Sequence, residues 1–266
     1  MSQSFDVISP VDGSTVVSIS ESTPGEIART IDRAVAASRD WRCTSLQSRL
    51  DIVERFIDAF QQTENEIANS LTMCMGRPIR YAPGEVRGTV DRAKAMMELA
   101  PAALQDIVPP PIGGFQRHIQ RVPHGTVFVM SPWNYPYLTA VNAVIPAILS
   151  GNTVILKPSD QTPLSGDHFR SAFEAAGLPP GVFQVLHMSH ETTAHVLADD
   201  CIDYVAFTGS VQGGVAITRT LAHRNGRRRF IGSGLELGGN DPAYVRADAN
   251  LEHAVSNVVE GALFNS

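Results

Sequence analysis

Residues 126–160 constrain the fold more tightly than any other stretch. An apolar run, Thr126-Val-Phe-Val-Met130, meets a proline-punctuated turn, Ser131-Pro-Trp-Asn-Tyr-Pro136. An apolar segment of helical length then reaches Ser150, a Gly151-Asn152 turn follows, and a second apolar run, Thr153-Val-Ile-Leu-Lys157, is closed by Pro158-Ser-Asp160. Short unbroken apolar runs on either side of an apolar helix are the pattern of two strands buried on both faces. The stretch therefore reads as a βαβ unit, its first turn marked by Pro132 and Pro136. Its polar side chains are confined to the two strand ends: Trp133 and Asn134 after the first strand, Lys157 and Asp160 after the second. Ligands of open parallel sheets bind beyond the carboxyl ends of the strands, so these residues are expected to share one crevice. That is the layout of a nucleotide site without the glycine-rich fingerprint.

The flanking sequence supplies more of the same alternation. Residues 5–20 hold short β-like runs about Pro10-Val-Asp-Gly13, and Thr23-Pro24 with Glu26 opens a helix in which Ile27, Ile31, Ala34 and Val35 recur at helical spacing as far as Trp41. A longer helix carries Leu46, Leu50, Val53, Ile57 and Phe60 on one stripe and is expected to end near Gly76. A third carries Val86, Val90, Ala93, Met97 and Ala100 and is expected to break at Pro101. Met96 and Met97 read as core filler, with an apolar tunnel wall as the alternative. In Phe115-Gln-Arg-His-Ile-Gln-Arg-Val122 a period of two places Gln116, His118 and Gln120 on one face, so residues 107–125 are expected to form a projecting β arm. After Asp160 a helix runs to Ala176, a strand covers 182–186, a short helix 192–197 and a strand 204–207. A further helix starts at Val211. Leu235-Glu-Leu237 and Ala243-Tyr-Val245 read as β runs, and Asp248-Ala-Asn250 opens a helix reaching Leu263. Strands alternating with helices at this spacing predict one α/β domain with a doubly wound parallel sheet.

Composition removes several classes of function. Lysine plus arginine number 21 against 27 acidic residues, a net charge of −6, so nucleic acid is not expected as a main partner. The basic cluster 224–229 is short and lacks aromatics, and reads as a solvated turn. Neither a charged-then-apolar leader nor a long uncharged apolar run occurs, so a cytoplasmic protein without membrane insertion is expected. Cys43, Cys74 and Cys201 are an odd, irregularly spaced set that suits reduced thiols. The eight histidines show no metal-ligand spacing; His187 and His190 merely flank a turn, and no metal site is expected.

Candidate chemistry lies at strand ends. Asn134 either donates from its amide to a carbonyl oxygen that is gaining charge, or simply closes its turn. Lys157 can reach ribose hydroxyls or a phosphate, or be a surface lysine. Phe207-Thr-Gly-Ser210 ends a strand and opens a helix with Gly213 and Gly214 in its first turn, where free N–H groups suit a pyrophosphate and Ser210 is equally good as an N-cap. Glu236 stands between two leucines before Gly238-Gly239; partial burial there would raise its pKa and make it a general base, and full exposure would leave it an ordinary strand residue.

Pro132-Trp-Asn-Tyr-Pro136, Lys157-Pro-Ser159, Phe207-Thr-Gly-Ser210 and Leu235-Glu-Leu-Gly-Gly239 resemble, in this order and spacing, motifs of the aldehyde dehydrogenase superfamily. The resemblance implies a Rossmann-like fold, an arm that helps form a homo-oligomer, and oxidation of an aldehyde to a carboxylic acid with NAD through a cysteine thioester. It implies Asn134 as oxyanion donor and Glu236 as the base that activates hydrolytic water. Cofactor contacts are implied for Met130, Ser131, Pro132 and Trp133, for Lys157, Ser159 and Asp160 about the adenosine ribose, for Phe207, Gly209, Ser210 and Gly214 near the pyrophosphate, and for Leu237 and Gly238. Tyr135 and Tyr137 are expected to line the inner substrate tunnel. Asp160 would repel a 2′-phosphate, so NAD is expected over NADP, although the family often has Glu at that place. In the family, Phe264-Asn-Ser266 would lead within a few residues to the nucleophilic cysteine. Residues 1–266 are thus read as the dinucleotide-binding part, inactive alone toward aldehydes, with a catalytically silent nucleotide- or partner-binding protein as the alternative.

Overall fold

The computed structural model describes residues 3–226 and 230–263. A hairpin of β1 (Ser4–Ile8) and β2 (Thr15–Ser20) leads into α1 (Pro24–Trp41). Thr23 and Glu26 close a capping box on that helix: the Thr23 hydroxyl accepts the Glu26 N–H, and the Glu26 carboxylate accepts the Thr23 N–H at 2.8 Å. The long helix expected next is two, α2 (Leu46–Gln62) and α3 (Glu64–Met75). The break has a local cause: the Thr63 hydroxyl bonds back to the Phe60 carbonyl at 2.8 Å and interrupts the ladder. Helix α4 (Ala82–Ala103) runs two residues past Pro101, which removes one N–H donor from its last turn, while the Leu104 N–H still donates to the Ala100 carbonyl at 2.9 Å.

The central unit forms as expected, with β3 (Thr126–Met130), α5 (Pro136–Leu149) and β4 (Thr153–Lys157). It continues through α6 (Leu164–Ala175), β5 (Phe183–Val185), α7 (His190–Ala198), β6 (Tyr204–Gly209), α8 (Val211–Ala222), β7 (Gly232–Leu237) and α9 (Leu251–Leu263). The five strands from β3 onward pair in parallel in the order β5-β4-β3-β6-β7. Period-two alternation divides their side chains between two cores. Val127, Val129, Val154 and Leu156 pack with α2, α4, α5 and α6, whereas Phe128, Met130 and Ile155 pack with Ile27 and Ile31 of α1, Val196 of α7 and Ile217 of α8. The sheet is therefore doubly wound. Met96 and Met97 pack against the first of these cores, which makes them filler rather than tunnel wall.

Two expected β segments do not form. Residues 107–122 make only the isolated bridges Ile107↔Ile119 and Ile112↔Phe115, and Phe115 and Ile119 stay 70 % and 58 % exposed. A period-two pattern needs a neighbouring strand to supply hydrogen bonds, and among the described residues the arm has only these two bridges. Residues 243–245 likewise carry no strand; β7 is the last strand of the sheet, and Tyr244 is 89 % exposed. Among the described residues no helix is long and apolar enough to cross a membrane.

Candidate functional site

The chain runs β3 to β4 to β5 in one direction across the sheet, then returns to place β6 on the other side of β3. The carboxyl ends of β3 and β6 thus flank a topological switch point, where open α/β sheets hold ligands. Register fixes what meets there: Met130 lies beside Lys157 on one side and Phe207 on the other, and Glu236 lies beside Thr208. Beyond these ends opens a crevice of about 980 Å³, within the range of small-molecule sites.

One end of the crevice is ionic. Lys157 is 7 % exposed, and its Nζ donates to Asp160 Oδ1 at 3.0 Å and to the Pro158 carbonyl at 3.3 Å. Ser159 lines the wall beside them. The middle is a helix start. Ser210 caps α8, its hydroxyl accepting the Gly213 N–H at 3.0 Å, while the first-turn N–H groups before Gly213 have no intrahelical acceptors and, with the helix dipole behind them, suit a negatively charged group. The Phe207 ring covers this turn so closely that a Cβ on Gly209 or Gly213 would lie 2.5 or 2.6 Å from it. Ser131, Pro132 and Trp133 form the opposing wall, and the Ser131 hydroxyl is buried with no hydrogen-bond partner among the described residues. Such an orphan is satisfied when a polar ligand fills the crevice. Asn134, Glu236, Leu237 and Gly238 also line the crevice; the Gly238 N–H donates to the Gly209 carbonyl at 3.0 Å and ties β7 to β6. The crevice thus gathers an ion pair, a helix start, and a carboxamide with a carboxylate along its walls.

The sequence model of the aldehyde dehydrogenase family matches residues 1–266. The chain belongs to that family. It is 31 % identical over 239 residues to the N-succinylglutamate 5-semialdehyde dehydrogenase of Novosphingobium aromaticivorans, covering 90 % of this chain and 50 % of the relative. It is also 31 % identical over 264 residues to the 3,6-anhydro-alpha-L-galactose dehydrogenase of Streptomyces coelicolor, covering 98 % and 52 %. Among solved structures, an NAD-dependent benzaldehyde dehydrogenase from Corynebacterium glutamicum superposes with a TM-score of 0.89 at 26 % identity, over 98 % of this chain and 56 % of that one. An NADP-dependent enzyme of E. coli superposes at 0.91 and 26 % identity, over 99 % and 54 %. The chain spans about half the length of the curated relatives it matches.

Several expectations for an aldehyde dehydrogenase need correction here. Gly214 is buried in α8, where a Cβ would come within 2.7 Å of Leu237 Cδ2, so α8 packs closely on β7 at this glycine. Glu236 is exposed rather than partly buried, because β7 ends the sheet and nothing described covers it. Tyr137 does not line a tunnel: it is 1 % exposed, and its hydroxyl lies 2.6 Å from His168 Nδ1 in the aromatic core. Tyr135 lies under the guanidinium of Arg77, 4.3 Å from its ring centre. Arg224 is no solvated residue; it is 4 % exposed and donates to the carbonyls of Leu197 and Asp199 at the end of α7. The remainder of that basic cluster, 227–229, and residues 264–266 lie outside the described residues.

Sequence reasoning missed the α7 wall. His190, Thr193 and Leu197 of α7 line the crevice at one-turn spacing. It also missed Arg77 and Glu85, which carry no motif of their own. None of the three cysteines lines the crevice: Cys43 is exposed after α1, Cys74 is buried in α3, where burial pushes its thiol pKa up, and Cys201 precedes β6 at its amino end.

Proposed function

We propose that these residues form the dinucleotide and carbonyl half of the active site of an aldehyde dehydrogenase that turns an aldehyde into a carboxylic acid. The observation that carries this reading is the single crevice joining the Lys157–Asp160 pair, the α8 helix start and Asn134 with Glu236. Lys157 would hold the adenosine ribose and the first turn of α8 the pyrophosphate, while Ser131 and Trp133 orient the nicotinamide side. Bound there, NAD supplies the hydride acceptor. The Asn134 amide stabilises the carbonyl oxygen as it gains charge, a contribution of about 2.7–4 kcal/mol for comparable donors. The family resemblance, rather than its exposed setting, supports Glu236 as the residue that takes a proton from water. Asp160 favours NAD, since a carboxylate at the ribose repels a 2′-phosphate. The nucleophilic thiolate comes from outside these 266 residues, because Cys43, Cys74 and Cys201 stand away from the crevice. The exposed apolar side chains of the arm, Ile107, Ile112, Phe115 and Ile119, support its packing on a second copy of the chain. Sparse unpaired cysteines support a reducing, cytoplasmic setting.

Calorimetric titration with NAD, followed by an aldehyde and NAD assay of the same preparation, tests the reading. The chain should bind NAD and release no NADH. Absence of binding at millimolar cofactor would remove the crevice as the site, and NADH formation would show that a nucleophile lies within the chain.

A further inference from the structure

Arg77 and Glu85 are a buried ion pair, 2 % and 3 % exposed, in the joint between α3 and α4. A buried pair of this kind is a weak source of stability, because desolvating two charges consumes most of their attraction. What distinguishes this one is where its remaining hydrogen-bonding groups go. Arg77 sits just after Gly76, whose φ of 83° ends α3, and it turns one guanidinium nitrogen to the Glu85 carboxylate and another to the backbone carbonyl of Asn134. Its plane also lies over the ring of Tyr135. The second Glu85 oxygen accepts the N–H groups of Tyr137 at 2.8 Å and Leu138 at 3.1 Å.

These two N–H groups belong to the first turn of α5, which has no side-chain cap of its own at Tyr135. Uncapped first-turn donors need an outside acceptor, and a carboxylate also answers the positive end of the helix dipole. Glu85 is thus a cap delivered from another helix, across 52 residues of sequence. Together the pair grips both sides of the Asn134 turn: the carbonyl of Asn134 before Tyr135, and the helix start after it. Within the turn, Asn134 Oδ1 accepts the Tyr135 N–H at 3.0 Å, which relates the carboxamide to that same backbone. Once the backbone is held, the carboxamide is held too.

We propose that Arg77 and Glu85 are positioning residues for Asn134, fixing the turn so that its amide is aimed into the crevice before any carbonyl arrives. The proposal rests on the reading of Asn134 as oxyanion donor. Donors of this kind work through preorganisation, and small misplacements of such groups cost large factors in rate. It also accounts for why two charges are buried where apolar side chains would join α3 to α4 equally well.

The test uses the 266-residue chain and two local probes. The side-chain amide signals of Asn134, assigned by their loss in Asn134→Asp, report the carboxamide by NMR. Acrylamide quenching of fluorescence reports the turn through Trp133, which is 44 % exposed, since the other tryptophan, Trp41, is 2 % exposed. The variant is Arg77→Met with Glu85→Gln, which leaves no buried charge unpaired. It is expected to melt within a few degrees of the parent, to lose the resolved pair of Asn134 amide signals, and to show stronger quenching of Trp133. Arg77→Lys retains a charge beside Glu85 without the fork that also reaches Asn134, and should alter the Asn134 signals while leaving the rest of the spectrum in place. A folded double variant with unchanged Asn134 signals and unchanged quenching overturns the proposal. Should the double variant not fold, Arg77→Lys decides by the same two readouts. Neither readout depends on NAD binding or aldehyde oxidation, so failure of the functional reading and failure of this proposal are separable.

Discussion

Lys157 shows how a side chain can be nearly buried and still line a crevice. Its ammonium is 3.0 Å from Asp160 Oδ1, and the Asp160 side chain is 49 % exposed. Lys157→Ala therefore leaves no carboxylate buried alone, and the melting temperature should change little. Loss of a charged donor to ribose is worth about 1.5–3 kcal/mol, so NAD should bind roughly 10- to 100-fold more weakly by calorimetry. Unchanged affinity would take Lys157 out of the site. Lys157 was legible in the sequence because a lone charge closing an apolar run, followed by proline, has few places to go but a strand end. Asn134 and Glu236 were legible for the same reason. Arg77 was not: its partners Glu85 and Asn134 stand 8 and 57 residues away, and only packing brings them together.

Among the elements, α2 ties together α4, α5 and α6, the helices of the first core. Phe56 stacks on Phe173 with ring centres 4.1 Å apart and on Phe60 and Phe169 at 5.6 and 5.7 Å, all of them buried. Phe56→Ala opens a cavity at the centre of this cluster and should cost about 3–5 kcal/mol, read as a lower denaturant midpoint with an unchanged slope. A loss under about 1 kcal/mol would mean that α2 and α6 close over the gap. Helical stripes such as Val53, Ile57 and Phe60 were readable because period and burial coincide along one helix. The split at Thr63 was not, since it turns on one hydroxyl bonding back to one carbonyl. The arm 107–122 and residues 243–245 were misread because β pairing depends on a neighbour that a local pattern does not contain.

At the scale of the whole molecule, His168 joins three helices. Its Nδ1 meets the Tyr137 hydroxyl from α5 and its Nε2 lies 3.4 Å from Glu66 of α3, while the histidine itself is on α6. Burial pushes its pKa below 6.5, with Glu66 and Asp167 opposing the shift, and burial does the same to His187. In the unfolded chain these imidazoles take up protons near pH 6.5, whereas in the folded protein they do so only at lower pH. Between those two points the unfolded state binds more protons, so stability present above pH 6.5 is lost as pH falls through the window below it. Thermal melts should show a falling midpoint from pH 7 downward, and His168→Gln should flatten part of that slope. A slope identical in His168→Gln would clear His168 of the effect. The sequence by itself determined the βαβ core, the doubly wound class and the family, because buried parallel strands and strand-end motifs are local in the chain. Tertiary structure alone decided which motif residues face the crevice, that α8 packs closely on β7 at Gly214 and Tyr137 lies in the core, and that Arg77 and Glu85 grip the Asn134 turn. Those outcomes depend on strand order and on close approach between distant segments, and neither leaves a period or a spacing to read.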